Sequence, residues 1–166
     1  MDKQEIFQKI AEQLSEKGFR IVNQDDSRPW GGFFVIEESQ APSFIEHFFP
    51  EITAADVKGF AKLSPKILMV APHKRLSWQY HFRRAELWRA VEGPVGVVTS
   101  PNDTEGALQT LQPGDMIQLH QGERHRLVGL DNWGVIAEIW QHTDPDNPSD
   151  ESDIVRLQDD HGRSEK

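Results

Sequence analysis

Four side chains able to ligate a metal fall in two short stretches: Gln79, His81 and Glu86, then His125. Gln79 and His81 are two apart, so on a strand both point to one face. Glu86 lies five residues further on. It returns beside them if the next strand pairs antiparallel after a turn at residues 82–84. His125 follows Gly122-Glu123-Arg124 on a later hairpin. An imidazole pair with a carboxylate and an amide oxygen is a mixed nitrogen and oxygen set. It suits one divalent ion, zinc first, with Mn, Fe, Co or Ni as the other first-row choices. Glu138 sits in the apolar stretch Val135-Ile136-Ala137-Glu138-Ile139-Trp140. A carboxylate facing inward there is costly unless it is used, which makes it a candidate catalytic base. The alternation does not decide inward from outward, and Lys66 and His142 are rivals for that role.

These groups need a scaffold that brings distant strands together. Ile6, Ile10 and Leu14 recur every four residues with Phe7 beside them, which predicts an amphipathic helix over 3–17 stopped by Gly18. Residues 19–36 read as extended, with a turn at Arg28-Pro29-Trp30-Gly31-Gly32. Pro50 breaks any helix in 43–62, and Thr53-Ala54-Ala55-Asp56 predicts one short helix start. From Lys66 onward short strands alternate with turns: Ile67–Ala71, Leu76–His81, Glu86–Glu92, Val95–Thr99, Met116–Leu119, His125–Val128 and Val135–Trp140. Such spacing predicts an all-β barrel or sandwich. The organisation expected is an N-terminal helix over 1–18, a barrel over 19–142, and an acidic tail over 143–166 pinned in part by Ile154, Val155 and Leu157.

Gln79-x-His81-x4-Glu86-x6-Gly93 resembles the first motif of the cupin family, and Gly114-x5-His120-x-Gly122-x2-His125 resembles the second. His73 and His120 stand where those motifs carry Gly and Pro. Around them run Arg28-Pro29-Trp30-Gly31, Leu76-Ser77-Trp78-Gln79-Tyr80-His81, Arg84-Ala85-Glu86-Leu87-Trp88, Gly122-Glu123-Arg124-His125-Arg126-Leu127 and Asp153-Ile154-Val155-Arg156. In this order they look like the isomerase domain of type II phosphomannose isomerases over residues 26–163. The resemblance implies a cupin jelly-roll barrel and a metal-dependent aldose–ketose isomerase, with mannose 6-phosphate to fructose 6-phosphate as the default reaction. It also implies that Lys66, Arg84 and Arg156 surround the substrate, and it suggests a homodimer. The guanylyltransferase domain often fused upstream has no counterpart, and a short helix takes its place. Where that family reads His-His-His-Arg-x-Glu-His-Trp, this chain has Phe82, Arg83 and Leu87 at three of the His positions. Residues 38–62 match nothing in it and are expected near the barrel mouth.

The rest of the chain narrows the choices. With 18 Lys and Arg against 27 Asp and Glu, the net charge of −9 argues against a nucleic-acid partner. A phosphorylated sugar remains compatible, because a local cationic cluster can oppose the global sign. Having no Cys removes thiolate catalysis and Cys-ligated metal centres. No apolar run is long enough to cross a membrane and no secretory signal is visible, so a cytoplasmic location is expected. The alternatives are an isomerase of an unphosphorylated sugar such as lyxose or mannose, a non-enzymatic sugar-binding cupin, and an iron dioxygenase. Of the adjacent Arg83 and Arg84 only one can face a pocket, and the resemblance selects Arg84.

Overall fold

The computed structural model describes residues 1–53, 62–144 and 146–161. Helix α1 (Lys3–Glu16) starts at a reciprocal cap: the Glu5 amide donates to the Asp2 carboxylate, and the Asp2 amide donates to the Glu5 carboxylate. Its buried stripe is Ile6, Phe7, Ile10 and Leu14. Gly18 ends it at φ +84°, a left-handed conformation that glycine adopts without strain.

The described strands are β1 (Ile21–Asp25), β2 (Gly31–Ile36), β3 (Lys66–Val70), β4 (Trp78–Tyr80), β5 (Arg84–Glu92), β6 (Val95–Ser100), β7 (Leu108–Leu111), β8 (Met116–Leu119), β9 (Arg124–Gly129), β10 (Gly134–His142) and β11 (Val155–Gln158). They form two sheets, ordered β1-β2-β3-β10-β5-β8 and β11-β4-β9-β6-β7. Every pairing between neighbouring strands is antiparallel. This is the all-β architecture that the strand spacing predicts.

The central strands β3, β5 and β10 of the first sheet are buried on both faces, which explains their poor alternation. Ile67, Met69, Leu87, Val135, Ala137 and Ile139 join α1 in one core. Leu68, Val70, Trp88, Ala90 and Ile136 turn the other way, into a core shared with Val95, Val97 and Leu127 of the second sheet. Odd-numbered residues of β3, β5 and β10 thus pack under the helices, while even-numbered ones face the barrel interior. The β2–β3 pair comes so close that a Cβ at Gly31 would lie 1.9 Å from the Met69 carbonyl oxygen, so only glycine fits there.

Helix α2 (Ala41–Phe48) ends before Pro50 and buries Phe44, Ile45 and Phe48 against the outer face of the first sheet. The described part of 38–62 therefore covers the helical side rather than reshaping the barrel mouth. The expected helix start at Thr53-Ala54-Ala55-Asp56 falls on residues that, from 54 on, lie outside those described. Two strands were not foreseen. β7 pairs with β6, and β11, inside the supposed tail, pairs with β4 at the edge of the second sheet. The segment after 142 is therefore more than a partly pinned tail: Ser149 and Asp153 are buried in it.

Candidate metal centre

Register sets the site. Gln79 on β4 is the cross-strand partner of His125 on β9. On the opposite sheet Arg84, Glu86 and Trp88 of β5 lie across from His142, Trp140 and Glu138 of β10. Glu138 is in turn opposite Lys66 of β3. Cross-strand partners share a face, so these side chains converge between the sheets. Glu138 belongs to the inward, even-numbered set, which resolves its orientation.

His81, Glu86 and His125 are all buried, and one ligand atom from each lies within 4.8 Å of the others. His81 Nε2 is 3.2 Å from Glu86 Oε2, and His125 Nε2 is 3.7 Å from Glu86 Oε1. The remaining nitrogen of each ring meets a backbone carbonyl: His81 Nδ1 donates to Asp153 O at 2.7 Å, and His125 Nδ1 donates to Glu123 O at 3.1 Å. A carbonyl only accepts, so both Nδ1 atoms carry the proton and both Nε2 atoms turn toward the carboxylate. Burial pushes the His125 imidazole down to about 4, so at neutral pH its Nε2 presents a lone pair. A lone pair and a carboxylate facing each other in a buried site attract a cation, and Arg84 meets part of that demand, its Nε 2.9 Å from Glu86 Oε2 and its Nη2 3.4 Å from His81 Nε2. Imidazoles oriented through Nδ1 by carbonyls are the usual support of metal-ligating histidines. The donor set therefore fits a divalent ion held by His81, Glu86 and His125. Gln79 is the cross-strand partner of His125 and lines the adjoining cavity, and its Nε2 donates to Ser77 O at 3.4 Å.

Two carboxyls in this interior have opposite electrostatics. Burial works against ionisation of Glu86, yet opposing charge, the Arg84 guanidinium foremost, outweighs it and holds the group well below the ordinary carboxylate range. Burial and the charge of Glu86 push Glu138 up to about 8, against the smaller pull of Lys66 and Arg84. Indole N–H groups hold both Glu138 oxygens: Trp88 Nε1 donates to Oε1 at 2.9 Å, and Trp140 Nε1 donates to Oε2 at 3.1 Å. Trp88 Nε1 also lies 3.2 Å from Glu86 Oε1, so one indole links the two carboxyls.

Residues 50–159 match the family model described as the mannose-6-phosphate isomerase C-terminal domain. The chain belongs to this family. Among solved structures it is similar to the capsular polysaccharide assembling protein CapF from Staphylococcus aureus, with 13% identity, a TM-score of 0.57, and coverage of 82% of this chain and 34% of that one. Vicilin from Corylus avellana gives 14% identity and a TM-score of 0.53, covering 77% of this chain and 34% of that one. The chain thus spans about a third of the length of these relatives, and at such identities the likeness concerns the fold alone. No curated protein matches the sequence. The fold is the cupin barrel implied by the paired motifs. At the first motif's glycine position His73 takes φ +60°, so the left-handed turn is kept without the glycine.

In this member of the mannose-6-phosphate isomerase C-terminal family, a cavity of about 130 Å³ opens beside the metal centre. Its lining includes Lys66, Gln79, Arg84, Glu86, His125, Glu138 and Arg156, all singled out from sequence. Arg84 faces inward, whereas Arg83 binds Asn147 and the Pro148 carbonyl outside. The three substitutions of family histidines leave the cavity alone: Phe82 is exposed, Arg83 turns out, and Leu87 lies in the core under the helices. Arg84 is already engaged. Its Nε donates to Glu86 at 2.9 Å, its Nη1 donates to Ser149 Oγ and Asp150 O, and its guanidinium stacks 3.7 Å from the Trp140 ring centre. His142 is also committed, with Nδ1 accepting from the Ser149 amide and Nε2 donating to Lys62 O. That removes it as a rival base.

Sequence reasoning missed Arg28 and Glu151 in the cavity and Asp153 behind His81. Arg28 was visible inside a quoted motif. Asp153 likewise opens a quoted motif, whereas Glu151 gave no local signal, because its role arises only when the segment after β10 folds back against the barrel.

Proposed function

We propose that the protein is a metal-dependent aldose–ketose isomerase acting on a sugar phosphate, with mannose 6-phosphate to fructose 6-phosphate as the first reaction to test. The observation that carries this is the convergence of ligand atoms from His81, Glu86 and His125 within 4.8 Å of one another, with a second buried carboxyl, Glu138, lining the same cavity. When bound, a divalent ion supplies Lewis acidity to a carbonyl and its neighbouring hydroxyl.

The chain's own groups do the rest. Glu86, His81 and His125 hold the ion, and Gln79 adds an amide oxygen. Glu138 exchanges the proton between adjacent carbons of the sugar, with Trp88 and Trp140 fixing its two oxygens. Burial raises the Glu138 carboxyl above the ordinary carboxylate range, toward the neutral pH at which a group that alternately takes and returns a proton works best. Lys66 lies opposite Glu138 with its side chain 9% exposed, and offers a cation to an anionic substrate.

Incubation with mannose 6-phosphate and a panel of other aldose phosphates and free aldoses tests the reading. The expected result is ketose formation that stops with chelator and returns with zinc or another divalent ion. His81→Ala should lose both bound metal and turnover. Oxygen uptake in place of isomerisation, or metal binding with no turnover of any sugar, would contradict it.

A further inference from the structure

Glu151 lines the cavity, and the segment 149–151 satisfies two of the cations lining it. Ser149 Oγ and the Asp150 carbonyl accept from Arg84. Glu151 Oε2 accepts from Lys66 Nζ at 2.5 Å. The two partners in that ion pair differ sharply: the Lys66 side chain is 9% exposed and that of Glu151 is 71% exposed. A carboxylate in solvent thus reaches inward to neutralise a buried ammonium.

Lys66 is set up as an anion site. Its Nζ stands 4.8 Å from the Trp140 ring centre and 5.8 Å from that of Phe33. The Arg28 guanidinium stands 5.8 Å from the same Phe33 ring, so two cations flank one aromatic wall of the cavity. Aromatic faces favour the ammonium but provide no hydrogen-bond acceptor in the plane of its N–H groups, leaving its directed bonds for an oxyanion. Space gives a second, independent observation. The cavity of about 130 Å³ is small beside the roughly 300–1,000 Å³ of ordinary small-molecule sites. A hexose phosphate needs more room, and Glu151 is a lining side chain that reaches in from solvent and can leave.

We propose that Glu151 occupies the anion subsite of this cavity, and that the phosphate of an incoming sugar phosphate takes its place on Lys66. This rests on the isomerase assignment and deepens it: Glu151 sets the discrimination between charged and uncharged sugars. An uncharged sugar leaves the Lys66–Glu151 pair intact and the cavity narrow. A phosphate monoester exchanges one carboxylate partner of Lys66 for a dianion, which also attracts Arg28, and releases the 149–151 segment.

Titration of the full chain with inorganic phosphate, followed by calorimetry, tests the proposal without relying on turnover. Glu151→Gln keeps the size of an exposed side chain and removes its charge. It should tighten phosphate binding by roughly tenfold, about 1.4 kcal/mol. Lys66→Met should lose most phosphate binding, and adding Glu151→Gln to it should restore none. The same Glu151→Gln change should tighten mannose 6-phosphate and give mannose no comparable gain, which separates the phosphate from the sugar as the group recognised. Equal phosphate affinity in the wild type and Glu151→Gln, or a gain that persists without Lys66, would overturn the proposal. If the wild type isomerises a sugar phosphate and Glu151→Gln changes nothing, the subsite assignment falls and the isomerase stands. If no sugar turns over but phosphate binding tightens as stated, the subsite stands without it.

Discussion

Asp153 shows how much one side chain distant in sequence contributes to the centre. Its carbonyl fixes the His81 tautomer, while its carboxylate accepts from the Phe82 and Arg83 amides and the Ser149 hydroxyl. Burial alone would raise its pKa, yet these donors outweigh that and lower it. Asp153→Ala leaves two amides unpaired and should cost about 1–3 kcal/mol in denaturant unfolding. It should also weaken metal binding by roughly ten- to a hundredfold, read by competition with a chelating dye, because the backbone carbonyl that orients His81 remains but loses the carboxylate anchor that holds it in place. Glu138 makes an opposite, pH-dependent contribution. Its folded pKa of about 8 lies above the ordinary 4.5, so the folded chain binds more protons than the unfolded chain between those values. Stability of the chelator-treated protein should therefore decline as pH rises from about 4.5 to 8. Thermal melts across that range should show the decline, and Glu138→Gln should flatten it. His81, Glu86 and His125 were legible from the two motifs and their spacing, and the fold brings their ligand atoms within 4.8 Å of one another. The link from Asp153 was not, because a backbone carbonyl carries no residue-type signal.

Strand β5 carries two separate jobs on its two faces, and neighbouring substitutions should separate them. Leu87 lies in the core beneath α1 and α2, so Leu87→Ala should cost roughly 2–5 kcal/mol while metal content per folded chain stays unchanged. Trp88→Phe keeps most of the buried volume on the inner face but deletes the N–H shared by Glu86 and Glu138. Turnover should fall by at least tenfold with only about 1 kcal/mol lost in stability. Denaturant melts run beside metal analysis and rate measurements distinguish the two. A strand buried on both faces defeats a search for alternation, which is why the inward orientation of Glu138 needed the register with Trp88 and Lys66. α1 was readable because one of its faces meets solvent and its stripe repeats. β7 was missed because three of its four residues are exposed and only pairing with β6 defines it. β11 was missed because its run of carboxylate neighbours resembles a solvated tail.

Across the whole molecule, a chain of net charge −9 gathers Arg28, Lys66, Arg84 and Arg156 around one interior space. Global charge governs solubility and non-specific contacts, whereas the cavity's local cations govern what enters it. The two-sheet body and its paired motifs were visible from strand spacing and turn residues. The contribution of Glu151 and Ile154 to the cavity wall was not, since it depends on a segment returning to the barrel from the far end of the chain. The central claim is that Glu138 moves a carbon-bound proton beside an ion held by His81, Glu86 and His125. Incubating the zinc-loaded protein with mannose 6-phosphate in heavy water and following the sugar by NMR tests it most directly. The account predicts deuterium at the carbon adjacent to the carbonyl, fructose 6-phosphate as product, and loss of both in Glu138→Gln with metal retained. Fructose 6-phosphate formed at the wild-type rate by Glu138→Gln, or no exchange with any aldose phosphate while the ion is bound, would contradict it.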